Sequence, residues 1–120
     1  MAATKVTKLY GHGREMGTVT ATIAQNGTES GQVDLEGFAI SGLIIPTITT
    51  GNVTFKVSNS DSGTDYVLKD EDGNTITIVA TTGNFAVASD FLSCLDAYRY
   101  VKIVAATQAS AVSFIFCVKG

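Results

Sequence analysis

The chain has 120 residues, 45% of them apolar and only 16% charged, with a net charge of −3. That length favours a single domain with a real hydrophobic core, and so few charges argue against disorder. The acidic balance argues against a general nucleic-acid binder, which needs a dense basic face.

The charge is unevenly placed. Residues 1–16 carry Lys5, Lys8 and Arg14 against Glu15, so this stretch is basic and the remainder is acidic. Val6, Leu9 and Tyr10 could pin such an arm to a surface, while Gly11, Gly13 and Gly17 loosen it. The reading is an extended N-terminal arm over 1–16, able to add to a sheet edge, and a β-domain over 17–120. The start has no apolar core of a signal peptide, and no run reaches transmembrane length, so synthesis in a reducing cytosol and no membrane partner are expected.

From Gly17 the residues alternate. Val19, Ala21 and Ile23 share one face and Thr18, Thr20 and Thr22 the other, the pattern of a half-buried strand. Asn26-Gly27 signals a turn. A short strand follows, with Val33 and Leu35 inward. Ala39 to Ile45 is nearly all apolar, and Pro46 is expected to end that strand or mark an edge. Thr47–Gly51 reads as a connection. Asn52–Ser58 is a strand with Val53, Phe55 and Val57 inward.

Residues 58–64 form a polar loop. Tyr66–Lys69 is a short strand, and Asp70–Asn74 a hairpin turn. Ile76 and Ile78 lie on the return strand. Thr82-Gly83 separates it from another strand at Phe85–Ala88. Ser89-Asp90 caps one helical turn at Phe91–Leu95, the only helical candidate. Tyr98–Ala106 and Ala109–Lys119 are the last strands. About eight antiparallel strands with polar turns point to an all-β domain, a β-sandwich of jelly-roll-like or Ig-like kind. Two strands, 39–45 and 112–118, look apolar on both faces, which points to surface used for association or, alternatively, to central strands of the core.

Catalytic and metal chemistry find little support. Asp70, Glu71 and Asp72 resemble half a calcium loop, with Asp61 and Asp65 nearby, but the downstream acidic ligand is missing and a plain hairpin turn accounts for them. The glycine-rich stretch at 11–17 lacks the strand and helix of a phosphate loop. His12 is the only histidine and lies in the arm, so neither Cys94 nor Cys117 has a base to activate it. The two cysteines read as free, buried thiols. Asn26 and Asn52 match the glycosylation sequon without the secretory context it needs. No enzyme, cofactor or metal site is expected. Tyr98, Arg99 and Tyr100 read as interface anchors.

The order of the pieces resembles a group of small tailed-phage virion proteins. The resemblance rests on Val33-Asp34-Leu35 with Gly37, on Ser41–Pro46, on Val53–Ser58 and on Tyr66 before Val67-Leu68. It continues through the turn at Asp70–Asn74 and the strand Tyr98–Ile103, and spans residues 32–118. Near the end the chain departs from the pattern: Gln108-Ala109-Ser110-Ala111 holds no arginine. The resemblance implies a structural protein of the capsid surface, a decoration or cement protein that binds the major capsid protein as a homo-oligomer, dimer or trimer. The alternative it leaves open is a tail or fibre component or a carbohydrate-binding module. The residues expected at the contact are Lys5, Lys8, Leu9, Tyr10 and Arg14 in the arm, with Tyr98 and Tyr100 on the last hairpin.

Overall fold

The computed structural model describes residues 3–9, 16–88, 92, 95 and 97–119, with only the backbone of Lys8 and Leu9. Eight strands form the regular structure. They are β1 (Thr7–Leu9), β2 (Met16–Ile23), β3 (Val33–Asp34), β4 (Ala39–Ser58), β5 (Tyr66–Val67), β6 (Ile78–Val87), β7 (Tyr100–Val104) and β8 (Val112–Lys119). No α-helix occurs among the described residues. The turn expected at 91–95 falls largely outside them, but Leu92 and Leu95 have 3₁₀ conformation and are fully buried.

Period-two patterning sets the faces. Val19, Ala21 and Ile23 of β2 point inward, as do Val112, Phe114, Phe116 and Val118 of β8. The two strands pair antiparallel without interruption from Met16↔Lys119 to Ile23↔Val112. Their polar faces also match, since the hydroxyls of Thr22 and Ser113 share a hydrogen bond of 2.9 Å. The turn after β2 holds Asn26 at φ 66°, a left-handed conformation that asparagine tolerates.

The central element is β4. Pro46 and Gly51 do not end it, so the connection expected at Thr47–Gly51 is strand instead. The β8 ladder on β4 stops at Ile44, so Pro46 lies beyond it and withholds no donor from that ladder. Between Thr47 and Gly51 the register with β6 shifts, and the strand bulges there. Likewise, Thr82-Gly83 does not split β6, which runs unbroken along β4. Residues 39–44 of β4 pair with β8, and residues 54–58 pair with β7.

The all-β class stands, and the eight strands form one continuous sheet in the order β1-β2-β8-β4-β7-β3, with β5 and β6 added on β4. Where separate layers were expected, β4 joins them. Phe55 on its second half meets Phe116 of β8 across the interior, ring centroids 6.5 Å apart and tilted by 45°. Removing either ring would cost about 3–5 kcal/mol.

The N-terminal segment completes the enclosure. β1 pairs with β2, and Thr4, just upstream, bridges in parallel to Val33 on β3. The Thr4 N–H donates to Gln32 O at 3.0 Å, and the Asp34 N–H donates to Thr4 O at 2.8 Å. Residues 4–9 thus link the two ends of the strand order, and the sheet is nearly closed into a barrel. Ala3 is buried and Val6 packs on the core.

Candidate functional site

The exposed apolar side chains are not scattered. Ile44, Tyr66, Val67, Val79 and Phe85 all belong to β4, β5 and β6. Among the described residues only Met16 joins them from elsewhere. Two of them should be covered by the pleat. Phe85 lies opposite Ile45, which is fully buried, and Tyr66 lies opposite buried Val57. Directly opposed residues of an antiparallel pair share a face, so both rings sit on the inward side of the sheet. They remain 39% and 65% exposed because no further strand pairs beyond β5 and β6 among the described residues. On the outward face, Val79 beside Asn52 and Ile44 beside Ala86 are also exposed.

This edge is interrupted by the irregular stretch at Thr81–Asn84 but lacks charge, proline and brevity as protection. Sheet edges are commonly guarded by lysine, proline or brevity. β6 is ten residues long, and positions 75–88 hold no charged residue and no proline. The sequence reading placed the sticky surface on 39–45 and 112–118. In the structure, Leu43 and Ile45 are core and Ile44 alone of that run's large side chains is exposed, while Ile115 and Cys117 are half-buried.

A second arrangement surrounds Asp34. Its carboxylate has no exposed surface, and Lys5 and Arg99 both reach it. Arg99 binds in two-point fashion, Nε donating to Oδ1 at 2.9 Å and Nη2 to Oδ2 at 3.0 Å. Lys5 Nζ donates to Oδ2, and the Glu36 N–H donates to Oδ1 at 3.0 Å. Burial pushes this carboxyl up, but the hydrogen bonds from Arg99, Lys5 and Glu36 together outweigh it and bring it down to about 2. Lys5 is therefore engaged within the domain. Tyr10 and Arg14 lie outside the described residues, as do the side chains of Lys8 and Leu9. Tyr100 is buried beside Asp34, with the Arg99 guanidinium 5.2 Å from its ring centroid, and Tyr98 is half-buried against the core.

Other candidates resolve into structural roles. Asp70 Oδ1 accepts from the N–H groups of Asp72 and Asn74, both at 2.9 Å, and Gly73 sits at φ +85°. Those are the bonds of a turn. Asp65 pairs with Lys102 at 2.8 Å. No cluster of three potential metal ligands occurs among the described residues. Cys117 is a free thiol, while His12 and Cys94 lie outside the described residues. A cleft of about 540 Å³ opens beside β5, lined by Ser58, Asn59, Tyr66, Lys69 and Tyr98 among others. No family model, no curated protein and no solved structure matches this chain.

Proposed function

We propose that this is a non-catalytic assembly protein of a tailed-phage particle, a capsid decoration or cement protein that binds and stabilises the shell of the major capsid protein. One observation carries the assembly part of the reading: the long, uncharged β6 edge, on which the inward-facing ring of Phe85 is left partly uncovered. Such an edge is a template for another chain, and burying it is a source of binding energy. The virion part rests on the sequence resemblance over residues 32–118. Binding of this kind stabilises a shell by mass action, since the decorator holds only the assembled state.

The test is sedimentation of intact heads with the protein present. It is expected to pellet with them in a fixed ratio to the shell protein and to raise their melting temperature. Protein that stays in the supernatant at saturating heads would end the reading. The alternative, a tail or fibre component or a carbohydrate-binding module, draws on the cleft beside β5, where Tyr66 and Tyr98 offer apolar rings beside amide and hydroxyl groups. Specific retention on a glycan array, with no binding to heads, would favour it.

A further inference from the structure

We infer that β6 is a homodimer edge, and that its occupant is the β6 strand of a second copy laid antiparallel across a two-fold axis. The inference deepens the reading of this side as an assembly surface by naming what covers it. Among the described residues no strand pairs with the outer edge of β6, and the complement of such an edge is another extended strand. The match of faces under a two-fold axis points to a second copy of β6 itself, and two further observations are consistent with it.

The facing comes first. Ile78 and Ala80 of the first half are buried and inward, and in the second half Phe85 and Val87 share faces with inward Ile45 and Leu43. The irregular centre, with left-handed φ at Thr81, Gly83 and Asn84, shifts the alternation between the halves. An antiparallel copy therefore matches faces when each first half meets the partner's second half. Inward Ala80 then lies beside inward Phe85 of the other copy, and outward Val79 beside outward Ala86. Two short ladders flank the irregular centre.

The second observation is charge. No charged residue lies in 75–88, so neither ladder opposes like charges. The acidic turn at Asp70, Glu71 and Asp72 precedes β6. Parallel pairing would set two such turns side by side. Antiparallel pairing sends them to opposite ends of a ten-residue strand, about 30 Å apart and beyond the screening length.

The third is cover. Phe85 is inward yet 39% exposed, with no strand beyond β6 among the described residues. The second copy supplies that strand, and a two-fold contact closes on itself without fibre growth.

The test is the solution mass of the isolated protein by size exclusion with light scattering, with no heads present. The chain is expected at twice its monomer mass. The double variant Val79→Lys/Ala86→Lys is expected at half that mass with unchanged circular dichroism, since both side chains face solvent and the two new lysines oppose each other across both ladders. Met16→Lys, at an exposed apolar position away from this edge, is expected to stay dimeric. Should the double variant misfold, Thr82→Cys next to the axis is expected to form an inter-chain disulfide under mild oxidation that the unmodified chain does not form. A monomeric wild type, or a dimer that persists in the folded double variant, would overturn the inference. In the fallback, failure of Thr82→Cys to cross-link overturns it as well. A dimer that ignores heads would end the virion reading and leave this one standing.

Discussion

Arg99 grips Asp34 with both ends of its fork, at 2.9 and 3.0 Å, although the carboxylate is fully buried and the guanidinium side chain remains half-exposed. The pair joins the start of the β7 strand to β3, and Lys5 adds the N-terminal segment to the same carboxylate. A two-point charge-assisted contact fixes orientation as well as distance.

The carboxyl is lowered from the ordinary 3.8 to about 2. A group lowered on folding contributes stability that is fully present above its unfolded value and lost as pH falls through its folded value. Asp34→Asn is expected to destabilise the domain by about 2–3 kcal/mol at pH 7. The gap between wild type and variant in urea unfolding should shrink as pH falls from about 4 to about 2. A gap independent of pH would remove the ionised Asp34 from the account.

Residues 3–9 belong to the domain. They supply a buried side chain at Ala3, two backbone bonds at Thr4 and the β1 ladder. Deleting residues 2–9 is expected to cost about 2–4 kcal/mol and to lower the melting temperature by about 10 °C or more. The sequence reading allowed such an arm to add to a sheet edge, and here residues 7–9 add to β2. Thermal unfolding of the truncated chain checks this; an unchanged melting temperature would remove these contacts from the account of stability.

Ile44 and Ile45 are adjacent and face opposite ways, one exposed and one fully buried. Ile45→Lys buries an unpaired charge and is expected to cost more than about 4 kcal/mol, enough to prevent folding. Ile44→Lys should change stability by less than about 1 kcal/mol. Equal effects of the two substitutions in denaturant titration would contradict the faces of β4.

Gln108 is fully buried and works as a staple. Its Oε1 accepts from the Thr49 N–H at 2.9 Å in the β4 bulge, and its Nε2 donates to Ala106 O. Its backbone N–H donates to Gly27 O, and its carbonyl accepts from Asn26 N–H. Gln108→Leu leaves the Thr49 donor and the Ala106 acceptor without these partners, at an expected cost of about 2–3 kcal/mol. Hydrogen exchange at the Thr49 amide should accelerate most.

Two glycines at similar positive φ differ in surroundings. A Cβ on Gly83 would lie 2.0 Å from Pro46 O, whereas one on Gly73 meets nothing within 4 Å. Gly73→Ala should cost about 1 kcal/mol from backbone strain alone. Gly83→Ala should cost about 3 kcal/mol or more, because β4 and β6 must separate there. Comparable melting temperatures for the two variants would refute the close approach of these strands.

Much of the fold was legible where one face alone carried the signal. The alternation in β2 and the inward set of β8 follow directly from period two, and Asn26-Gly27 and Asp70–Asn74 turn as their residue types require. The continuous strands were not legible. Thr47–Gly51 and Thr82-Gly83 have the composition of turns; the chain is irregular at both, with left-handed φ at Thr81, Gly83 and Asn84, yet the pairing of β4 with β6 carries each strand through. Asp34, between inward Val33 and Leu35, read as an outward residue. It is buried because Lys5 and Arg99, 29 and 65 residues away in sequence, converge on it. No local pattern encodes such a meeting. The apolar edge was half legible: the deficit of charge showed in composition, but which strand lies outermost depends on sheet order.

That order has a consequence for how the protein is made. The eighth strand is not peripheral; it lies between β2 and β4 and pairs with both. During synthesis every earlier strand leaves the ribosome before the one that joins them. The nascent chain must hold two apolar surfaces apart until residues 112–119 emerge, and contacts so distant in sequence form slowly. Vectorial translation thus delays closure of this sheet until β8 is available to join β2 to β4.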